Sequence, residues 1–194
     1  MGSEPNRLIV GISGASGVVL GVRMLQVLKT LDVETHLVMS QAASLTLSYE
    51  TDFKRDDVRE LADVNYPIND IGAAISSGSF KTLGMVIVPC SIRTMSELTS
   101  GVTSTLLTRA ADVVLKERRR LVLVVRETPL HSLHLDSMKR LSDAGAIIAP
   151  PVPGFYSRPK TIDDMVDHTV GRVLDLFGLD AGLVKRWKGQ PEKG

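Results

Sequence analysis

The stretch from Leu8 to Gly17, LIVGISGASG, constrains the fold more than any other part of the chain. Leu8, Ile9, Val10 and Ile12 make an apolar run of the length and type of a buried parallel strand, which breaks off in Ser13-Gly14-Ala15-Ser16-Gly17. From Val18 to Leu31, Val18, Val22, Leu25 and Leu28 recur near one face at helical spacing, so the unit reads strand, small-residue turn, helix. Bare backbone N–H groups and the positive end of a helix dipole favour an anion at such a turn, and glycine lets a phosphate approach closely. Gly11, Gly14 and Gly17 are spaced G-x-x-G-x-x-G, which departs from the dinucleotide fingerprint, and no Gly-Lys-Ser/Thr follows as a P-loop requires. A serine-rich loop that cradles one phosphate without lysine or metal suits a mononucleotide such as FMN, with its ring along the strand ends. A tight turn with no ligand is the competing reading.

A chain of 194 residues suits one sizeable α/β domain, so residues 1–194 read as one domain with 179–194 as a C-terminal tail. Lys and Arg total 23 against 22 Asp and Glu, and this balance gives no electrostatic reason to expect nucleic acid or an anionic membrane as partner. The single cysteine, Cys90, rules out an intrachain disulfide, and no Cys/His ladder has zinc spacing, so no metal is expected. The leading MGSEPNR carries an acid and a proline, and Gly11 interrupts the apolar run behind it. Neither a signal peptide nor a membrane span is expected, which points to the cytoplasm.

Several further strands end in hydroxyl or charged groups. Glu34 to Ser40 reads as a second strand whose Ser40 either caps the next helix or, at a carboxyl end of the sheet, shares a ligand with Ser16. Glu50 closes that helix and reads as a solvated acid, and Asp52 to Ser79 reads as a short helix and a polar surface excursion. Met85 to Val88 is a third buried strand and runs into Pro89-Cys90-Ser91-Ile92-Arg93-Thr94. Ser91 and Thr94 can point at one anion or ring edge, or serve as a cap and a first-turn threonine. Thr103 to Arg119 is a helix on which Arg109, Asp112 and Lys116 line up, either as a solvated stripe with a local ion pair or beside a site.

Leu121 to Val125 is the most apolar strand and delivers Arg126-Glu127 to the carboxyl edge. That pair is a loop ion pair or a phosphate-binding arginine beside an acid/base carboxylate. His131 and His134 have no third ligand at metal spacing, and a helix starting near Ser132 accounts for them. After a short strand at Ala146 to Pro150, a proline-rich loop presents Phe155-Tyr156-Ser157-Arg158 as a lid or a subunit contact. Thr161 to Phe177 is a long amphipathic helix carrying Arg172, and the tail brings Trp187, which is expected to dock on a surface.

Taken together, GISGASG, SYETD, PCSIRT, TRAADVVLKERR, VRETP and PPVPGFYSRP resemble the UbiX-like flavin prenyltransferases, formerly called aromatic acid decarboxylase subunits, in order and over nearly the whole chain. The resemblance implies a flavodoxin-like (Rossmann-like) three-layer α/β sandwich with a central parallel sheet, assembled as trimers into a dodecamer. It implies transfer of a dimethylallyl group from dimethylallyl phosphate to N5 and C6 of reduced FMN, the product serving a UbiD-like decarboxylase. By that resemblance Gly14, Ala15, Ser16, Ser40, Ser91, Ile92, Arg93, Thr94 and Arg126 bind FMN, and Tyr156 and Arg172 bind the isoprenyl phosphate. Lys116, Arg109, Glu127, Glu50 and Trp187 match further active-site positions, Trp187 as a pocket cap, and neighbouring subunits are expected to complete the site.

The chemistry of these side chains agrees with those roles. Arg126, Lys116, Tyr156 and Arg172 can stabilise charge on a departing phosphate, and Glu127 with Ser16 as relay can move a proton. The chain departs from many relatives at Val18, Val19 and Leu20, where a tyrosine is frequent, and at Arg93, where lysine is common. The alternatives are an FMN-dependent cysteine-type decarboxylase, whose P-x-M-N-x-x-M loop and catalytic histidine are missing here, and a non-catalytic flavin carrier.

Overall fold

The computed structural model describes residues 6–187 and 189. The readings made on residues 1–5, 188 and 190–194 lie outside the described residues. Six parallel strands build the sheet: β1 (Arg7–Ile12), β2 (Glu34–Met39), β3 (Val64–Tyr66), β4 (Gly84–Cys90), β5 (Arg120–Val125) and β6 (Ile147–Ile148). The helices are α1 (Val18–Leu28), α2 (Gln41–Glu50), α3 (Arg55–Arg59), α4 (Ile92–Thr99), α5 (Leu106–Lys116), α6 (Ser132–Asp143) and α7 (Ile162–Asp175).

Successive strand side chains point to opposite faces, so each apolar strand feeds two cores. Leu8, Val10, Ile12, Val86, Val88, Val122 and Val124 meet α1, α2 and α7, whereas Ile9, Met85, Ile87, Leu121 and Leu123 meet α4, α5 and α6. The result is the three-layer flavodoxin-like sandwich anticipated from the sequence. Strand order is β3-β2-β1-β4-β5-β6. The order reverses between β1 and β4, and the crevice outside their carboxyl ends is where an open parallel sheet binds its ligand.

One element corrects the sequence reading. The segment expected to be only a helix and a surface excursion contains β3, paired with β2 through His36↔Val64, Leu37↔Asn65 and Val38↔Tyr66. A half-buried three-residue edge strand offers no run of apolar residues by which to recognise it.

Candidate active site

A cavity of about 390 Å³ opens at the switch point. Gly14 after β1, Ser40 after β2 and Ser91, Arg93 and Thr94 after β4 all line it, so most of the residues expected to bind FMN converge there. The capping reading of the serines holds, and Ser40, Ser91 and Thr94 also line the cavity. Ser40 caps α2 by accepting from the Ala43 amide at 3.0 Å, and Ser91 caps α4 by accepting from the Thr94 amide at 3.3 Å while its hydroxyl donates to Thr94 Oγ1.

Gly14 is set by close packing. A Cβ at this position would overlap the Ala42 side chain and come within 3.1 Å of its carbonyl carbon. Ala15 and Ser16 continue the same loop, and Ile92 packs into the core beneath α4. Arg93 reaches outward and pairs with Glu97 at 3.0 Å. Arg126 leaves the end of β5 with its amide donating to the Cys90 carbonyl, which places its backbone beside Ser91. Glu127 is exposed and accepts from the Thr128 amide.

Three residues of the site, Ser13, Ile68 and Asn69, were not singled out by the sequence. Ser13, buried inside the loop, donates to the Pro89 carbonyl at 2.9 Å and accepts from the Ser91 amide at 2.8 Å, tying the β1 and β4 loops into one wall. Ile68 and Asn69, after the unexpected β3, line the same cavity with Leu107 and Thr108 of α5. Hydroxyls beside Ile68 and Leu107 suit a flat heteroaromatic ring with polar edges, so these residues fit a flavin.

Glu50 is not the free solvated acid expected. Its carboxylate accepts from the amides of Gly17 at 2.8 Å and Val18 at 3.2 Å, so those N–H groups at the start of α1 are not bare. Cys90 is fully buried, and burial pushes its thiol up to about 12, which suits a core residue and not a nucleophile.

The remaining expected residues lie elsewhere in the chain. Tyr156 and Arg172 line a second cavity of about 460 Å³ with Pro150, Val152 and His168. Trp187 stands edge-to-face on Tyr156, with centroids 6.1 Å apart. Arg109 pairs with Asp112 at 2.8 Å, the local ion pair its spacing allowed. Lys116, further along the same helix, pairs with Glu117 at the C-terminal end of α5, beside Gly78 and the amino edge of the sheet. Among the described residues no group of three or more His, Cys, Asp or Glu side chains is placed to hold a metal ion.

Residues 2–174 match the Flavoprotein family model. The flavin prenyltransferase UbiX of Escherichia coli (strain K12) is 62% identical over 186 residues, covering 94% of this chain and 98% of that protein. The chain belongs to the UbiX-like flavin prenyltransferase family. A solved relative, the crystal structure of AnUbiX (PadA1) in complex with FMN and dimethylallyl pyrophosphate, is 51% identical. It matches with a TM-score of 0.95 over 97% of this chain and 100% of that one. A dodecameric FMN-dependent UbiX-like decarboxylase from Escherichia coli O157:H7 matches with a TM-score of 0.93 at 50% identity, over 94% of this chain and 100% of that one. The FMN-dependent cysteine decarboxylase TvaF matches with a TM-score of 0.63 at 17% identity, over 78% of this chain and 92% of that one, which shows a shared fold alone. The cysteine-decarboxylase alternative thus rests on fold and is set aside by the flavin prenyltransferase relatives. No described helix is long and apolar enough to cross a membrane.

Proposed function

We propose that the chain is a cytoplasmic flavin prenyltransferase that joins a dimethylallyl group from dimethylallyl phosphate to reduced FMN, making prenylated FMN for a UbiD-like decarboxylase. The observation that carries this reading is the solved relative holding FMN and dimethylallyl pyrophosphate, with nearly the whole chain in register. Reduced FMN supplies the nucleophilic ring positions, N5 and C6, that take the prenyl group. Gly14, Ala15, Ser16, Ser40, Ser91, Ile92, Arg93, Thr94 and Arg126 hold it at the switch-point cavity.

The chain's own groups act on the allyl phosphate. Arg126, Lys116, Arg109, Tyr156 and Arg172 stabilise the charge that gathers on the departing phosphate, with the donors fixed before the bond breaks. Glu127 takes and returns the proton released as the new ring closes, with Ser16 as relay and Glu50 at the same loop. Trp187 covers the phosphate side by its contact with Tyr156. Because the flavin cavity and the Tyr156 cavity are separate in one chain, subunits of a trimer-based dodecamer bring them together.

Anaerobic incubation with reduced FMN and dimethylallyl phosphate or pyrophosphate, followed by mass measurement of the recovered flavin, tests the reading. A flavin heavier by C5H8 is expected with at least one donor. Unmodified flavin with both, from protein that binds FMN, would overturn it.

A further inference from the structure

His168 was not singled out by the sequence, since it falls inside the periodic pattern of α7. It is 9% exposed, and it lies one turn before Arg172 on the same helix. Its Nε2 is 2.9 Å from the Tyr156 hydroxyl, and the two rings meet edge-to-face with centroids 5.5 Å apart. A Cβ on Gly154 would stand 2.9 Å from His168 Cε1 and 3.1 Å from Tyr156 Cε1, so a glycine there is what lets the rings close. Tyr156, His168 and Arg172 all face one cavity.

We propose that His168 is a positioning residue, donating from Nε2 to the Tyr156 oxygen so that the Tyr156 proton is left for the phosphate of the allyl donor. The argument is one of hydrogen-bond polarity. A phenol has a single proton, and phosphate oxygens at the leaving group need donors. If Tyr156 donated to His168, its proton would be spent on the ring, and the phosphate would face a lone pair. With the ring proton on Nε2, His168 supplies the bond, and the Tyr156 O–H turns toward the same cavity that Arg172 lines. Burial of His168 and the closeness of Gly154 hold the ring against Tyr156, with Nε2 at 2.9 Å from its hydroxyl.

The inference rests on the reading of Tyr156 as a phosphate ligand, and the experiment separates the two. Dimethylallyl phosphate is titrated calorimetrically into FMN-loaded wild-type protein, His168→Leu, His168→Gln, Tyr156→Phe and the Tyr156→Phe/His168→Leu double variant. His168→Leu is expected to weaken donor binding about three- to tenfold, the worth of one hydrogen bond, with FMN affinity unchanged and the loss of turnover appearing in KM and not in kcat. His168→Gln, whose amide can donate from a similar place, is expected to regain most of the loss. In the double variant the histidine change adds nothing to Tyr156→Phe. If His168→Leu fails to take up FMN, His168→Phe, a flat ring without an N–H, replaces it. Weakened binding in Tyr156→Phe but not in the His168 variants, or full additivity, overturns the role of His168 alone. Unchanged binding in Tyr156→Phe overturns the phosphate role of Tyr156 and this inference with it.

Discussion

Glu50 and Gly17 are joined across the mouth of the first loop: the Glu50 carboxylate accepts from the Gly17 amide at 2.8 Å and from the Val18 amide at 3.2 Å. Gly17 is the N-cap of α1 in the left-handed region, φ +90, and offers no side chain of its own, so Glu50 supplies the cap from the end of α2. A carboxylate at a helix N-terminus satisfies orphan donors and suits the dipole. Glu50→Ala is expected to cost about 1 kcal/mol of stability by urea unfolding. It is also expected to loosen FMN binding severalfold, because Ser16 loses its fixed neighbour. Unchanged unfolding midpoint and flavin affinity would remove the capping role.

Gly14 sits where the first loop touches α2. A methyl group there overlaps the Ala42 Cβ, and relief needs movement of α2, since the contact extends to Ala42 backbone atoms. Gly14→Ala is expected to lose about 1–3 kcal/mol, the usual cost of overpacking. Titration of oxidised FMN followed by fluorescence quenching is expected to show greatly weakened uptake. Wild-type quenching curves would mean that α2 gives way without cost.

What the sequence conveyed follows from how each feature is encoded. The strands β1, β4 and β5 are buried on both faces and appear as continuous apolar runs, so their ends, and with them Ser16, Ser91 and Arg126, were legible. The edge strand β3 shares no such run, and Ile68 and Asn69 behind it were missed. Glu50 meets Gly17 across 33 residues, and Ser13 meets Pro89 across 76, and pairings of that kind leave no local signal. His168 repeats the same lesson inside an otherwise regular helix.

A buried polar network gives a dependence of stability on pH. His36 is 3% exposed, its Nε2 donates to Glu34 at 2.7 Å, and its Nδ1 accepts from Tyr66 at 2.9 Å. Arg7, Phe80 and Asp63 complete its surroundings. Burial holds the imidazole below its ordinary value, against the opposing pull of Glu34. A depressed folded value means that the stability is fully present above the unfolded pKa of about 6.5 and is lost as pH falls through the folded value. Denaturant unfolding is expected to show stability declining below about pH 6.5, with a shallower decline in His36→Gln. Equal slopes in the two proteins would count against it.

The tail is fastened by Asp175, which accepts from both guanidinium nitrogens of Arg186 at 3.1 and 2.9 Å and from Arg172 at 2.7 Å. Arg186, then Arg172, hold the Asp175 carboxyl below its ordinary value, so this attachment persists above about pH 4 and is lost as pH falls through the folded value. Trp187 is the sole tryptophan and follows Arg186 directly. Arg186→Ala is expected to free it from Tyr156, moving its emission to the red at neutral pH. Identical emission from the variant and the wild type would detach Trp187 from this anchor.

Lys116 and Glu127 belong to one reaction in the proposed function yet to opposite edges of the sheet in one chain. Lys116 ends α5 beside Gly78, before β5 begins, and Glu127 follows the last residue of β5 by two positions. A strand of that length separates them by about 20 Å, too far for both to serve one site within a single copy. On the proposed function the lysine therefore comes from a neighbouring copy, and two inactive variants then complement each other. Lys116→Ala and Glu127→Gln are each expected to bind FMN and to slow prenylation about a hundredfold or more, the scale of a lost charge stabiliser or acid/base group. Dissociated, mixed in equal amounts and reassembled, they leave about one site in four with both native groups, so roughly a quarter of wild-type activity is expected to return. Mixed oligomers as slow as either parent would place both side chains in the service of the same subunit and contradict the separation of the two edges.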